Sequence, residues 1–304
     1  MITNLLIIGA HKAGTSTLYD YLKSYNGQIC LSDPKEPNLF SGGNRGLSES
    51  DIYSEPEKVY RCEASSSYFN EKFALDRIKA NLGDDVRIIV LLRNPVERSI
   101  SSFLHMAKRL DDTRNLSEVF SMQNLSASEA VEIERERIQQ AYKTGAINVK
   151  RYEKRYDDFL WPFRYIENCL YLSKMNEIME KFENVLVLDF KDLTRNPAVV
   201  ASQLSEFLGV EMCFSENRIH SNKTRVPIVR GRSDYYLHKI ATQTKLGTWA
   251  LSIDMLSRIY QKHYCYSKFE VPESIKHTLK NIFYSDMVAL TRLEGFSKFD
   301  YWLE

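Results

Sequence analysis

Leu5-Leu6-Ile7-Ile8-Gly9-Ala10-His11-Lys12-Ala13-Gly14-Thr15-Ser16-Thr17-Leu18 runs from an apolar stretch through a glycine-bounded loop into a hydroxyl-rich helix start. The unbroken apolar run leaves no polar face, so it reads as a strand covered on both sides, as the central strands of a parallel sheet are. Gly9 and Gly14 let the backbone turn sharply and come close to a ligand. Free N–H groups at the start of the following helix, reinforced by the helix dipole, make an anion site. Lys12 adds a full positive charge, and Thr15, Ser16 and Thr17 add hydroxyl donors. A plain strand-to-helix turn requires none of these, so their coincidence favours the anion-binding reading.

Further short apolar runs at 29–31, 59–62, 86–92 and 185–188 alternate with helical patterns. That alternation predicts an α/β, P-loop-like fold of three layers, with a central parallel sheet of about five strands flanked by helices. The runs at 5–8, 86–92 and 185–188 are nearly continuous and predict burial on both faces. Asn94 can cap a helix with Pro95 in its first turn, and Val96, Ile100, Phe103, Ala107 and Leu110 then form an apolar stripe. Asn196-Pro197 repeats this pattern, with Val200, Leu204, Phe207 and Leu208 facing inward and Gly209 as a left-handed cap. Segment 128–143 reads as a charged, solvated helix. From about residue 235 the pattern is helical and aromatic-rich, with no chemistry assigned to it. No linker is evident, so residues 1–304 are expected to form a single domain.

Hydrophobic residues make up 43% and charged residues 27% of the 304, an ordinary globular composition. With 41 basic against 40 acidic side chains the net charge is near zero, which argues against a basic protein that coats nucleic acid. The apolar runs fall far short of the roughly 20 residues needed to span a bilayer. The first run also lacks the basic start and cleavage site of a signal peptide. The five cysteines are scattered without a CxxC pair and read as reduced thiols of a cytoplasmic protein. No histidine–cysteine spacing suits zinc, and no metal is expected. The sequence does not set the oligomeric state.

An ATP-binding P-loop reads G-x-x-x-x-G-K-[ST]. Gly9 and Gly14 have that separation, but Thr15 stands at the lysine position and the lysine lies inside the loop, at Lys12. A nucleoside triphosphate needs a lysine that reaches the β- and γ-phosphates, with a magnesium-binding hydroxyl after it. A lysine moved inward suits a shorter ligand whose reactive group is the second anion. The stretch resembles the 5′-phosphosulfate loop of the sulfotransferases that use 3′-phosphoadenylyl sulfate (PAPS). The resemblance implies that Lys12 contacts the oxygen bridging phosphate and sulfate. It further implies that Ala13, Gly14, Thr15, Ser16 and Thr17 hold the 5′-phosphate.

Val86-Arg87-Ile88-Ile89-Val90-Leu91-Leu92-Arg93-Asn94-Pro95 is a buried strand that ends in arginine, and Ser101 follows eight residues after Arg93. A guanidinium at a strand's carboxyl end, joined by a hydroxyl, makes a fork for a phosphate; taken alone, Arg93 could equally pair with Glu97. The run L-L-R-N-P-x-E-R-x-x-S resembles the 3′-phosphate motif of the same family. It implies that Arg93 and Ser101 distinguish PAPS from nucleotides without that phosphate.

Asp33-Pro34-Lys35-Glu36-Pro37-Asn38-Leu39-Phe40 presents Lys35 and Glu36 from a segment stiffened by its prolines. Alone it reads as a solvated turn. K-E-P-x-x-F resembles a segment of the carbohydrate sulfotransferases of the heparan-sulfate type, which implies Glu36 as general base. The motifs as a set also resemble bacterial members of the family. Arg61-Cys62-Glu63-Ala64-Ser65-Ser66-Ser67-Tyr68-Phe69 resembles a further family segment, which places Ser65 with Lys35 and Glu36 on the acceptor side. In heparan-modifying members a lysine tends to follow this glutamate and touch the anionic sugar; Ala64 stands there in this sequence, which weakens the expectation of a heavily sulfated acceptor. Between 218 and 232, Arg218, Lys223, Arg225, Arg230 and Arg232 form a basic stretch, either a surface loop or a flap over the cofactor. Arg230-Gly231 loosely resembles the family's basic-glycine loop near the 3′-phosphate.

The resemblance implies in-line sulfuryl transfer from PAPS to a hydroxyl or amine of a small-molecule or oligosaccharide acceptor, leaving adenosine 3′,5′-bisphosphate (PAP). Glu36 would take the acceptor's proton and Lys12 would neutralise the leaving group. Two rivals remain: a P-loop kinase or NTPase using Lys12 and Asp189, and a non-catalytic module that binds PAP or a polysaccharide.

Overall fold

In the computed structural model, strand β1 (Leu5–Gly9) is buried along its whole length. The structure describes residues 3–25, 27–43, 47–214, 240–241, 244–253, 255–257, 259–260 and 270–304. After β1 come α1 (Thr15–Ser24), β2 (Ile29–Leu31), α2 (Glu49–Ile52), β3 (Tyr60–Glu63) and α3 (Ala74–Leu82). β4 (Arg87–Leu92), α4 (Pro95–Lys108), α5 (Leu116–Phe120), α6 (Ala127–Thr144) and α7 (Leu172–Lys181) follow. β5 (Val185–Asp189), α8 (Phe190–Arg195), α9 (Pro197–Leu208), α10 (Lys245–Ser252) and α11 (Glu273–Thr291) lead to a last 3₁₀ turn, Ser297–Trp302.

The strands form one parallel sheet in the order β2-β3-β1-β4-β5, with Leu5 opposite Cys62 on one side and Arg87 on the other. The strand order therefore reverses about β1, and open α/β sheets bind ligands at the carboxyl edge of such a reversal. Two segments meet there. The loop leaving β1 is tied to β4 by Ala10 N donating to Leu91 O at 2.7 Å, and Arg93 follows β4 directly. The five expected strands all form, each within a residue of its expected bounds. β4 is covered on both faces, but β5 is an edge strand whose Val185 and Leu186 are only half-buried.

Asn94 caps α4 as expected, its Oδ1 accepting from Val96 N at 3.0 Å and Glu97 N at 3.3 Å. The buried face of α4 is broader than the predicted stripe: Arg98, Ser99, Ser102 and Met106 join Ile100 and Phe103, while Val96 and Ala107 are half-buried. Besides α11, the 3₁₀ turns Trp161–Phe163 and Glu167–Cys169 pack against α4, and Arg98 and Met106 meet Asn168 and Tyr152 from that stretch of the chain. Gly209 closes α9 at φ 65°. Asn196 makes no side-chain cap bond to α9, and its backbone N–H ends α8 by donating to Asp192 O. Helix α6 matches the charged segment, but its Glu134 is buried and accepts from Ile166 N at 2.7 Å and Glu167 N at 2.9 Å. Ile275, Leu279, Phe283, Met287 and Trp302 share one apolar cluster with Leu5 and the sheet, so α11 and the last 3₁₀ turn belong to the core, whereas Leu246 and Trp249 of α10 are exposed. Among the described residues no helix is long and apolar enough to cross a membrane.

Candidate active site

Both loop glycines are fixed by geometry. At Gly9 (φ 146°) an added Cβ would lie 2.5 Å from Phe69 Cβ, and at Gly14 (φ 96°) one would lie 2.7 Å from Phe190 Cδ2. Between them Lys12 takes a left-handed φ of 66°. Burial lowers its pKa, and the nearby cations Arg93, Lys108 and Arg109 lower it further. Among the described residues no carboxylate pairs with Lys12, so the loop holds a cation beside other cations. Ala13 and Thr15 are buried, Thr17 is half-buried and Ser16 is exposed.

Arg93 meets this loop from β4. Its Nε donates to Glu97 at 3.0 Å, its Nη1 reaches Lys12 O at 3.5 Å, and its guanidinium lies 4.6 Å from the ring centre of Phe190. The pairing with Glu97 and the approach to the loop thus coexist. Half-buried Ser101 lies one turn beyond Glu97 on the same side of α4. Arg98, which sequence reasoning gave no role, is fully buried. It donates to His11 O at 2.8 Å, to Asn70 Oδ1 at 2.8 Å and to Asn168 O, bracing the loop from beneath.

On the other flank, Lys35 Nζ lies 3.2 Å from Glu36 Oε1, 3.5 Å from Thr15 Oγ1 and 3.4 Å from Ala64 O. Lys35 thus joins Glu36 to the first residue of α1. Ser66 Oγ donates to Glu36 Oε1 at 2.9 Å, and Asn38 Nδ2 donates to Glu36 O at 2.7 Å. Glu36 keeps about a third of its side chain exposed (38%), open to a second substrate. Ser65 points the other way: fully buried, it donates to Glu63 Oε2 at 2.9 Å and accepts from Asn38 N at 3.0 Å. The hydroxyl beside Glu36 is that of Ser66, a residue the sequence reading did not single out. Burial pushes the Glu63 carboxyl up to about 8, with the charge of Glu36 adding to the rise.

His11 and His105 lie edge to face, 5.5 Å between ring centres, and His11 also meets Trp161 at 6.2 Å. Burial, then the charge of Lys12, pushes His105 down to about 3; His11 is likewise held well below the usual range, so both rings are neutral. Asp189, the residue a magnesium-dependent rival would need, caps α8 through Lys191 N at 2.9 Å and accepts from Tyr301 Oη at 3.0 Å. Arg230, Gly231 and the rest of the 218–232 basic stretch lie outside the described residues.

A loop of backbone donors with Lys12, unpaired among the described residues, can hold and neutralise an anion, the Arg93 fork can hold another, and the partly exposed Glu36 carboxylate can accept a proton beside them. The chain matches the family model described as "Sulfotransferase domain" over residues 3–245. It is 25% identical over 222 residues to the bifunctional heparan sulfate N-deacetylase/N-sulfotransferase 4 of Mus musculus, a match covering 69% of this chain. To the bifunctional heparan sulfate N-deacetylase/N-sulfotransferase 1 of Xenopus laevis it is 28% identical over 219 residues, 68% of this chain. The matched region spans only 22% of the length of each of these relatives. The crystal structure of a sulfotransferase from Alicyclobacillus acidocaldarius superposes with a TM-score of 0.54 at 21% identity, covering 98% of both chains, and shows the same fold.

Proposed function

This chain belongs to the sulfotransferase family, and on that footing we propose that it moves a sulfuryl group from PAPS to a hydroxyl or amine of a carbohydrate or small-molecule acceptor. The observation that carries the donor assignment is the meeting of Lys12 and Arg93 at the reversal point of the sheet, with Lys12 unpaired among the described residues. The spacing of two cation-bearing motifs around one loop suits a nucleotide with two separated anionic ends. Lys12, with Ala13, Gly14, Thr15, Ser16 and Thr17, holds the 5′-phosphosulfate, while Arg93 and Ser101 hold the 3′-phosphate.

The acceptor oxygen or nitrogen attacks sulfur in line with the leaving phosphate oxygen. Glu36 takes the acceptor's proton as the new bond to sulfur forms and the sulfur–oxygen bond to phosphate breaks, releasing PAP. Lys12 neutralises the charge growing on that oxygen. Lys35 aligns Glu36 with Thr15 and thus with the loop that holds the donor. A carbohydrate acceptor is supported by the N-sulfotransferase relatives, and the partly exposed face of Glu36 leaves room for it. Asp189 is already spent on the α8 cap and Tyr301, which disfavours a magnesium-dependent kinase. The chain acts as a single domain. Cys30, Cys62 and Cys169, buried and unpaired, fit a reducing compartment such as the cytoplasm.

Calorimetric titration with PAP in the presence of a chelator tests the donor assignment. Micromolar or tighter binding is expected; binding of ATP–magnesium but not of PAP would overturn it.

A further inference from the structure

Phe190, the first residue of α8, touches both anion-binding motifs at once. The edge of its ring occupies the space that a side chain at Gly14 would need, 2.7 Å from the ideal Cβ position. Its face lies 4.6 Å from the Arg93 guanidinium. That guanidinium is held by Glu97 at Nε and by the Lys12 carbonyl at Nη1, which leaves Nη2 without a partner among the described residues. With one face stacked on the ring and two nitrogens engaged, the fork has little freedom left, and its free nitrogen is set before any ligand arrives.

The ring is itself anchored from a distance. Tyr301 Oη donates to Asp189, whose carboxylate caps α8, and the Lys191 ammonium lies 3.6 Å from the centre of the Tyr301 ring. The backbone on both sides of Phe190 is therefore pinned by the C-terminal turn.

We infer that Phe190 is a positioning residue that holds Arg93 in the geometry to read the second phosphate of the nucleotide. The inference rests on the PAPS reading above. Cation–π attraction strengthens as the pair is desolvated, and a bound nucleotide would exclude water from the exposed side of Arg93. Phe190 contacts no reacting atom by this assignment; it acts through Arg93.

Affinities for PAP and for adenosine 5′-monophosphate, measured on wild type, Phe190→Leu, Phe190→Met and Phe190→Tyr, test it. Leu and Met keep apolar bulk against Gly14, where Leu193 also packs, but remove the aromatic face. The preference for PAP over the monophosphate should fall about three- to thirty-fold in the Leu and Met variants, the span of a partly to fully desolvated cation–π contact. Monophosphate affinity should change less than twofold, and Phe190→Tyr should keep the wild-type preference. Equal losses for both nucleotides would mean that Phe190 merely packs the loop, and an unchanged preference in the Leu and Met variants would exclude any hold on Arg93; either overturns the inference. A wild-type protein without preference for PAP would instead sink the donor assignment itself, so the two failures look different.

Discussion

Arg93 Nη1 lies 3.5 Å from the main-chain oxygen of Lys12, so residues 81 positions apart in sequence meet at one edge of the sheet. The sheet makes this possible. β1 and β4 are adjacent parallel strands, and their carboxyl ends deliver the loop and the guanidinium to the same edge.

Arg93→Ala should therefore weaken PAP binding by about 1.5–3 kcal/mol, the range for a charge-assisted hydrogen bond to a phosphate. Adenosine 5′-phosphosulfate, which lacks the 3′-phosphate, should bind the variant nearly as it binds wild type. Calorimetry with both ligands checks this. Equal losses would mean that Arg93 supports the loop rather than reading the distal phosphate.

Lys12 gives the binding a pH signature. Burial and neighbouring cations hold its pKa below the usual 10.5, and a bound anion reverses that effect. The complex thus holds the Lys12 proton to higher pH than the free protein does. PAP affinity should be flat near neutrality and fall as pH rises through the free-protein value, with proton uptake on binding in that window. Titrations in two buffers of different ionisation enthalpy measure the uptake, and Lys12→Ala should abolish it.

The loop and its sheet were legible because their signals are local: an apolar run, glycines at fixed separation and a cation between them. Arg98 and Phe190 were not, although Arg98 falls within the quoted 3′-phosphate run. Arg98 acts on His11, Asn70 and Asn168, and Phe190 on Gly14 and Arg93, through contacts that only the tertiary fold creates. Ser65, expected on the acceptor side with Lys35 and Glu36, turns inward while Ser66 stands beside Glu36, for a related reason. In a run of small hydroxyl residues after a strand, the buried Glu63 and Asn38 decide which serine turns inward, and they take Ser65. Glu134 shows the same limit: a charged helix reads as solvated until the two amides that need its carboxylate are in view.

The buried Glu63 carboxyl, raised to about 8, carries a stability prediction. Between the unfolded value near 4.5 and about 8, the folded chain keeps a proton that the unfolded chain has lost. The associated stability is complete below this window and is lost as pH rises through it. Glutamine cannot ionise, so Glu63→Gln should gain on wild type across the same window, by about 4–5 kcal/mol at its top. Thermal unfolding of both proteins at several pH values between 5 and 8 reads the effect. A gap that does not widen with pH would mean that Glu63 is already ionised in the fold.

Transfer of labelled sulfate from PAPS to a pool of sugar acceptors by wild type, Glu36→Gln and Lys12→Ala is the most direct test of sulfuryl transfer between Lys12 and Glu36. Wild type should yield labelled product. Glu36→Gln keeps the side chain's size and can still accept from Ser66, but cannot take the acceptor's proton; its turnover should fall about 10²- to 10⁴-fold with PAP affinity near wild type. Lys12→Ala should lose both rate and affinity, since its charge serves the bound donor and the leaving group alike. Near-normal turnover by Glu36→Gln would contradict the assignment of the base. Wild-type enzyme that binds PAP tightly yet labels no acceptor in the pool would contradict the transfer to carbohydrate itself.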